Sequence, residues 1–257
     1  MKQSQAKKRD NAMTNKILMG LIALVLGLLF LEILIVHSKN EQQKNVSNQV
    51  QTARIMANGD LLYHDGLYMS ALQADGSYDF TENFTYVKPW LKQADLVLGD
   101  FEGTINPDYP LSGYPLFNAP QSVTAAIKDA GYDVMDLAHN HILDSGLEGA
   151  FTTADAFKKV GIDPIGVYEK PVRDKAPLLI KNVNGIKVAI LSYAYGYNGL
   201  ESNLTDKEVA DHLSNLDEKR MKSEIQRAEK EADITVIMPQ MGVEYRLEPT
   251  DEQVKLY

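Results

Sequence analysis

The 257-residue chain has no cysteine, one tryptophan and five histidines, and its 26 Lys and Arg are outnumbered by 35 Asp and Glu. Without cysteine there are no disulfides, thiolate zinc sites or cysteine nucleophiles, so any metal must be held by His, Asp, Glu or Asn. A formal net charge of −9 argues against a nucleic-acid partner, because phosphate binding rests on clustered Lys and Arg. Internal repeats and low-complexity tracts are also missing. Apolar residues at 44% and charged residues at 24% are ordinary for a globular chain, which has room for one sizeable α/β domain, or a domain plus an anchor.

Residues 17–36, ILMGLIALVLGLLFLEILIV, carry a single charge, Glu32. At ~1.5 Å rise per residue a helix of this length spans a hydrocarbon core of ~30 Å. Lys2, Lys7, Lys8, Arg9 and Lys16 precede it against one acid, Asp10. The positive-inside rule then leaves 1–16 as a cytoplasmic basic tail and everything after Val36 outside the cell membrane. An uncleaved single-pass anchor is expected rather than a signal peptide, since the run exceeds ~7–15 residues and no A-x-A-like site follows. Residues 37–52 are polar without a sustained apolar period and read as a linker. The extracellular α/β domain is expected over 53–257.

Within it, "ARIMAN", "DLVLGD", "YDVMDLAH" and "IDPIGV" read as strands, separated by helical patterns such as "PQSVTAAIKDAG" and "GLEGAFTTADAFKKVG", each stopped by a glycine. "APLLIKNVNGIKVAILSYAY" is two β-runs around Asn184-Gly185, a strong hairpin signal. Residues 205–232 are helix-prone, and "DITVIMPQ" is another strand. Helices alternating with continuous apolar strands predict a layered α/β sandwich with a mainly parallel sheet and an added hairpin. Thr250 and Gln253 make a capping box for a helix that stops within two turns, which reads as a domain cut short.

In open α/β sheets ligands gather beyond the carboxyl ends of the strands. Asp60 follows the first strand, with His64 four residues on. Asp100 and Glu102 follow the second. His139, Asn140 and His141 follow the third, then Asp144. Gln240 follows the last, with Glu244 beyond it. Each alone could be a turn, cap or solvated loop residue; their recurrence at one end of four strands is harder to dismiss. Carboxylate and amide oxygens suit hard divalent ions, and imidazole adds affinity for transition metals. Two such ions polarise a phosphoryl oxygen and generate hydroxide near neutral pH. On this pattern Asn140 is a candidate ligand, and His141 a general acid or a donor behind the ligands.

The stretches "NGDLLYHD" (58–65), "LGDFEG" (98–103), "AHNHILDSGLEG" (138–149) and "QMGVEYRLEPTDEQ" (240–253) resemble the CapA/PgsA family of bacterial capsule and poly-γ-glutamate synthesis proteins, a branch similar to the calcineurin-like metallophosphoesterases. The resemblance implies a metallophosphoesterase-like fold and one or two divalent ions (Mn, Fe, Zn or Mg). It implies ligands at Asp60, His64, Asp100, Glu102 and Asn140, a catalytic His141, and His139, Asp144, Gln240 and Glu244 around them. Asp100 and His139 stand where the family commonly has asparagine, Gln240 where it has histidine, and a later His-Pro-His motif is not reached. The partners implied are the membrane and other capsule or polyglutamate synthesis membrane proteins. Three readings stay open: an assistant of capsule or poly-γ-glutamate synthesis or export, a metal-dependent phosphoesterase acting on a cell-envelope phosphate ester, and a non-catalytic scaffold.

Overall fold

A computed structural model describes residues 19, 27–39, 50–171, 177–243 and 245–256. The chain divides into two compact units, Met1–Val50 and Gln51–Tyr257. In the first, residues 27–39 are helical, so the helix runs three residues into the stretch read as linker. Of the expected anchor, 17–36, residues 17, 18 and 20–26 lie outside the described residues. Among those described, no helix is long and apolar enough to cross a membrane.

The second unit runs β1 (Ile55–Asp60), α1 (Asp65–Ala71), a 3-10 turn (Thr81–Phe84), α2 (Lys88–Leu91), β2 (Leu96–Asp100), α3 (Val123–Ala130), β3 (Val134–Asp136), α4 (Gly146–Lys159) and β4 (Asp163–Ile165). It continues with β5 (Leu179–Val183), β6 (Ile186–Ala194), a 3-10 turn (Leu200–Asn203), α5 (Asp206–His212), α6 (Glu218–Glu231), β7 (Ile234–Gln240) and α7 (Asp251–Leu256). Strands β1 to β4 form one parallel sheet in sequential order.

The hairpin is not an addition to that sheet. It forms a second sheet, β5-β6-β7, in which β6 pairs antiparallel with β5 and parallel with β7. The alternation of side chains along β6 explains the separation. Val188 and Ile190 pack on Leu96, Leu98 and Val134 of the first sheet, whereas Ala189, Leu191 and Tyr193 pack on Met221 and Ala228 of α6. A strand buried on both faces belongs between two layers. On the far side of the first sheet Val97 and Met135 meet Ile127 of α3 and Phe157 of α4. The architecture is therefore helices, sheet, sheet, helices.

Local signals set the boundaries. Asn184 and Gly185 both have positive φ (54° and 89°), as a two-residue hairpin turn requires. Gly131 closes α3 in the left-handed region. The capping box at Thr250 forms: Thr250 N–H donates to Gln253 Oε1 at 2.6 Å, and Gln253 N–H to Thr250 Oγ1 at 3.2 Å. Between α1 and β2 the chain makes the 3-10 turn and the single turn of α2, with Pro89 in its first turn.

Candidate functional site

The sheet register builds the site. Leu98 and Val134 pair across β2 and β3, and two residues further the same face carries Asp100 opposite Asp136. This face looks toward the second sheet, so both carboxylates stand where the sandwich opens at its carboxyl edge. A register shift between Ala57 and Asp60 brings Asp60 opposite Asp100. Such a bulge re-aims a side chain at the end of a strand. Three aspartates thus lie abreast on three adjacent strands, with Glu102 just beyond β2.

Together with Asn140 and Gln240 these four acids line a cleft of about 820 Å³. Asp100 is 7% exposed, and its Oδ1 finds no hydrogen-bond partner among the described residues. Burial, then the charges of Asp136, Asp60 and Glu102, push its carboxyl well above the usual carboxylate range. Burial followed by the nearness of Asp60 raises Glu102 to about 7. Asp136 is also raised to about 7 by burial, against the pull of two donors. Its Oδ1 accepts from the Ala138 N–H at 2.8 Å and from the hydroxyl of Ser192, which reaches across from β6. Gly166 makes room for this turn: it has φ +94°, and a Cβ there would fall 2.5 Å from the Ala138 nitrogen.

The loop after β3 supplies the rest. His141 Nδ1 lies 2.8 Å from Asp144 Oδ2, and its Nε2 lies 4.0 Å from Glu102 Oε1. A carboxylate on one ring nitrogen fixes the tautomer and aims the other nitrogen, here toward the cleft. Asp144 Oδ2 also accepts the Phe117 N–H at 2.6 Å, and the Phe117 ring stands edge-on to His141 with centroids 4.8 Å apart. Asn140 and Gln240 form a reciprocal amide pair. The Asn140 N–H donates to Gln240 Oε1 at 2.8 Å, and Gln240 Nε2 donates to Asn140 Oδ1 at 3.0 Å.

Two residues expected in the site sit elsewhere or play another part, and a third is not described. His64 does not line the cleft. Tyr63 is 4% exposed and packs on Phe80, which commits the chain inward and leaves His64 at the N-cap of α1, ion-paired with Asp65. His139 is fully buried; burial lowers it to about 3, which keeps it neutral, and its Nδ1 accepts the His141 N–H at 3.1 Å. Glu244 lies outside the described residues. Two residues escaped the sequence reading. Asp136 lies inside an apolar run, not after it. Asn198, at φ 54°, accepts from Asn140 Nδ2 at 3.1 Å, a contact with no local signal.

In the loop between β2 and α3, one side chain gathers several carbonyls. Asn118 Oδ1 accepts the Asn106 N–H at 2.8 Å, while its Nδ2 donates to the carbonyls of Asn106, Tyr109 and Pro110 at 2.9, 3.1 and 3.1 Å.

Among the described residues no group of three or more His, Asp or Glu side chains is arranged to hold a metal ion. The reason is visible in the bonding: Asn140 Oδ1 is engaged by Gln240, Asp136 by Ser192 and Ala138, and His64 by Asp65. The donor chemistry nevertheless suits a hard divalent cation, because four carboxylates share one cleft and a buried oxygen of Asp100 is unsatisfied.

The fold and site define an α/β/β/α sandwich with a carboxylate-lined cleft at the carboxyl edge of its parallel sheet. The bacterial capsule synthesis protein PGA_cap family matches residues 54–257, and the chain belongs to that family. It is 30% identical over 182 residues to the Capsule biosynthesis protein CapA of Bacillus anthracis, covering 67% of this chain and 43% of the relative. To the PGA biosynthesis protein CapA of Bacillus subtilis (strain 168) it is 26% identical over 252 residues, covering 97% of this chain and 64% of that one. The chain thus spans less than two thirds of either relative. Among solved structures, a Staphylococcus aureus chain described as a 5'-nucleotidase, in complex with alpha-ketoglutarate, aligns at TM-score 0.48 and 15% identity, covering 76% of this chain and 39% of that one.

Proposed function

We propose that the chain is a membrane-anchored protein with an extracellular domain that assists capsule polysaccharide or poly-γ-glutamate biosynthesis or export, and that its cleft takes a divalent cation. The carrying observation is the crowd of acids at the strand ends, with a buried Asp100 oxygen lacking a partner. Like charges held this close raise one another's affinity for protons, and a bound cation relieves the same repulsion. Asp60, Asp100, Glu102 and Asp136 would hold it, and it would supply Lewis acidity toward a phosphoryl or carboxyl oxygen. The anchor reading rests on the apolar run 17–36 and the basic residues before it. Other capsule or polyglutamate synthesis membrane proteins are the partners such an assistant would meet.

The test has two arms. Calorimetric titration of the full chain with Mn²⁺ should show binding that Asp100→Asn weakens. A host lacking the gene should lose surface polymer and regain it with the wild-type chain, but not with Asp100→Asn. Polymer levels unaffected by the deletion would refute the role in synthesis; absence of Mn²⁺ uptake would refute the cation site.

A second reading, a metal-dependent phosphoesterase acting on a cell-envelope phosphate ester, is favoured by the Asp144–His141 pair aimed at Glu102. In it His141 donates a proton to the leaving oxygen. Mn²⁺-dependent cleavage of bis(p-nitrophenyl) phosphate, lost in His141→Ala, would support it; equal rates in both proteins would end it.

A further inference from the structure

We propose that the face around Tyr86, Val87 and Trp90 docks on the surface of a lipid bilayer, turning the acidic cleft away from the membrane. The proposal rests on the anchor reading above.

These three side chains are 88%, 46% and 65% exposed, and Trp90 is the only tryptophan in the chain. The local fold leaves them outside. Phe84 is buried and Leu91 packs against the same core, so the intervening turn presents Tyr86, Val87 and Trp90 outward. Aromatic rings with a polar tip settle at the headgroup level of a bilayer, where one end is apolar and the other wet. Arg54, Lys88 and Lys92 border the patch. Asp95 Oδ2 accepts the Arg54 N–H at 2.8 Å, and Asp129 pairs with Lys88; Glu82 of the preceding 3-10 turn is exposed.

Chain connectivity supplies the independent argument. The polypeptide enters the domain at Arg54, whose Nη1 donates to the Gln93 carbonyl at 3.3 Å and whose own carbonyl accepts the Asp95 N–H at 2.8 Å. Gln93 and Asp95 directly follow α2, so the point where the chain enters adjoins the Trp90 turn. Residues 40–52, between the described helical residues 27–39 and the domain, could span at most about 45 Å. A domain held this close to a bilayer meets it at high effective concentration, so weak aromatic contacts suffice for docking. Arg54 and the turn before β2 mark the amino edge of the parallel sheet. Asp60 marks the carboxyl edge of β1, about 20 Å away at ~3.3 Å per residue. A bilayer on the first edge leaves the cleft open on the second.

The single tryptophan makes the test direct. The full chain is reconstituted into vesicles of phosphatidylethanolamine and phosphatidylglycerol, and both flotation and Trp90 emission are read. Docking predicts a blue shift of emission on reconstitution and loss of intensity with lipids brominated near the headgroup. The double variant Tyr86→Ser, Val87→Ser, at exposed positions, should lose much of that quenching while floating equally well. Flotation with unshifted, unquenched emission overturns the docking and leaves the anchor standing. A blue shift without quenching that grows with protein-to-lipid ratio assigns the patch to a second copy and also overturns it. A chain that fails to float overturns the anchor, and the docking with it.

Discussion

Replacing Asp136 by asparagine should stabilise the cation-free domain at pH 8, although it removes a buried side chain's charge. Asp136 is 1% exposed, and its carboxyl is raised from the ordinary 3.8 to about 7. At about 1.4 kcal/mol per tenfold change in proton affinity, holding it ionised in the folded state costs up to about 4 kcal/mol above pH 7. Asp60 and Asp100 share that repulsion, so deleting one charge recovers a net gain on the order of 2 kcal/mol. The hydrogen bonds survive, because an amide oxygen can still accept from Ser192 and Ala138, and the new NH₂ faces the acids. For a domain of this size the gain corresponds to about 4–8 °C in Tm. Urea and thermal unfolding with EDTA at pH 8 measure it. At pH 3 the difference should nearly vanish, since the folded and unfolded chains then both largely hold the proton. An Asp136→Asn domain that is less stable at pH 8, or equally shifted at both pH values, would refute the account of crowded charge.

Burial, together with this crowding, fixes the pH response of the wild-type domain without cations. Asp100, Glu102 and Asp136 all have raised folded values, so their contribution to stability is intact below about pH 4 and lost as pH rises through about 7 and beyond. Chemical denaturation across pH 4–9 should show this decline, with excess Mn²⁺ removing much of it above pH 7. Gln240→His should break the amide pair, free the Asn140 oxygen and add an imidazole to the cleft, tightening Mn²⁺ binding by about tenfold or more in calorimetry. Gly166→Ala combines a positive φ with a Cβ 2.5 Å from the Ala138 nitrogen, and should cost on the order of 3 kcal/mol in denaturant unfolding.

Much of the fold was legible because local chemistry and tertiary packing agree at its boundaries. Asn184-Gly185 turns where positive φ is needed, Gly131 ends α3, and the donors at 60, 100, 102 and 140 follow strands that pair in parallel order. What was not legible depends on partners distant in sequence. The two-sided burial of β6 separates a second sheet from the first, and a periodicity argument cannot tell which neighbour a doubly buried strand will choose. Asp136 was overlooked because a buried acid inside an apolar run looks like strand, and its role follows from the register with Asp100. Asn198 reaches Asn140 from a Tyr- and Gly-rich loop. His64 lies near Asp60 in sequence, yet Tyr63 turns the chain into the core between them.

The hydrogen bonds of the Asn118 side chain, to which the Thr104 hydroxyl adds one at 3.3 Å, divide its loop into parts with different freedoms. Residues 104–110 are gathered by a single amide, and the Phe117 that follows is bolted to Asp144, so the base cannot move without disturbing the His141 imidazole. Beyond this buckle and the Ser112–Asn118 bridge lies the tip, residues 113–116, which exposes Tyr114 and Leu116 to solvent. Descendants of this chain can lengthen, shorten or recompose the tip while the chemistry beneath it stays still. Whatever the protein has learned to distinguish among its encounters, this is where such learning could be written at least risk.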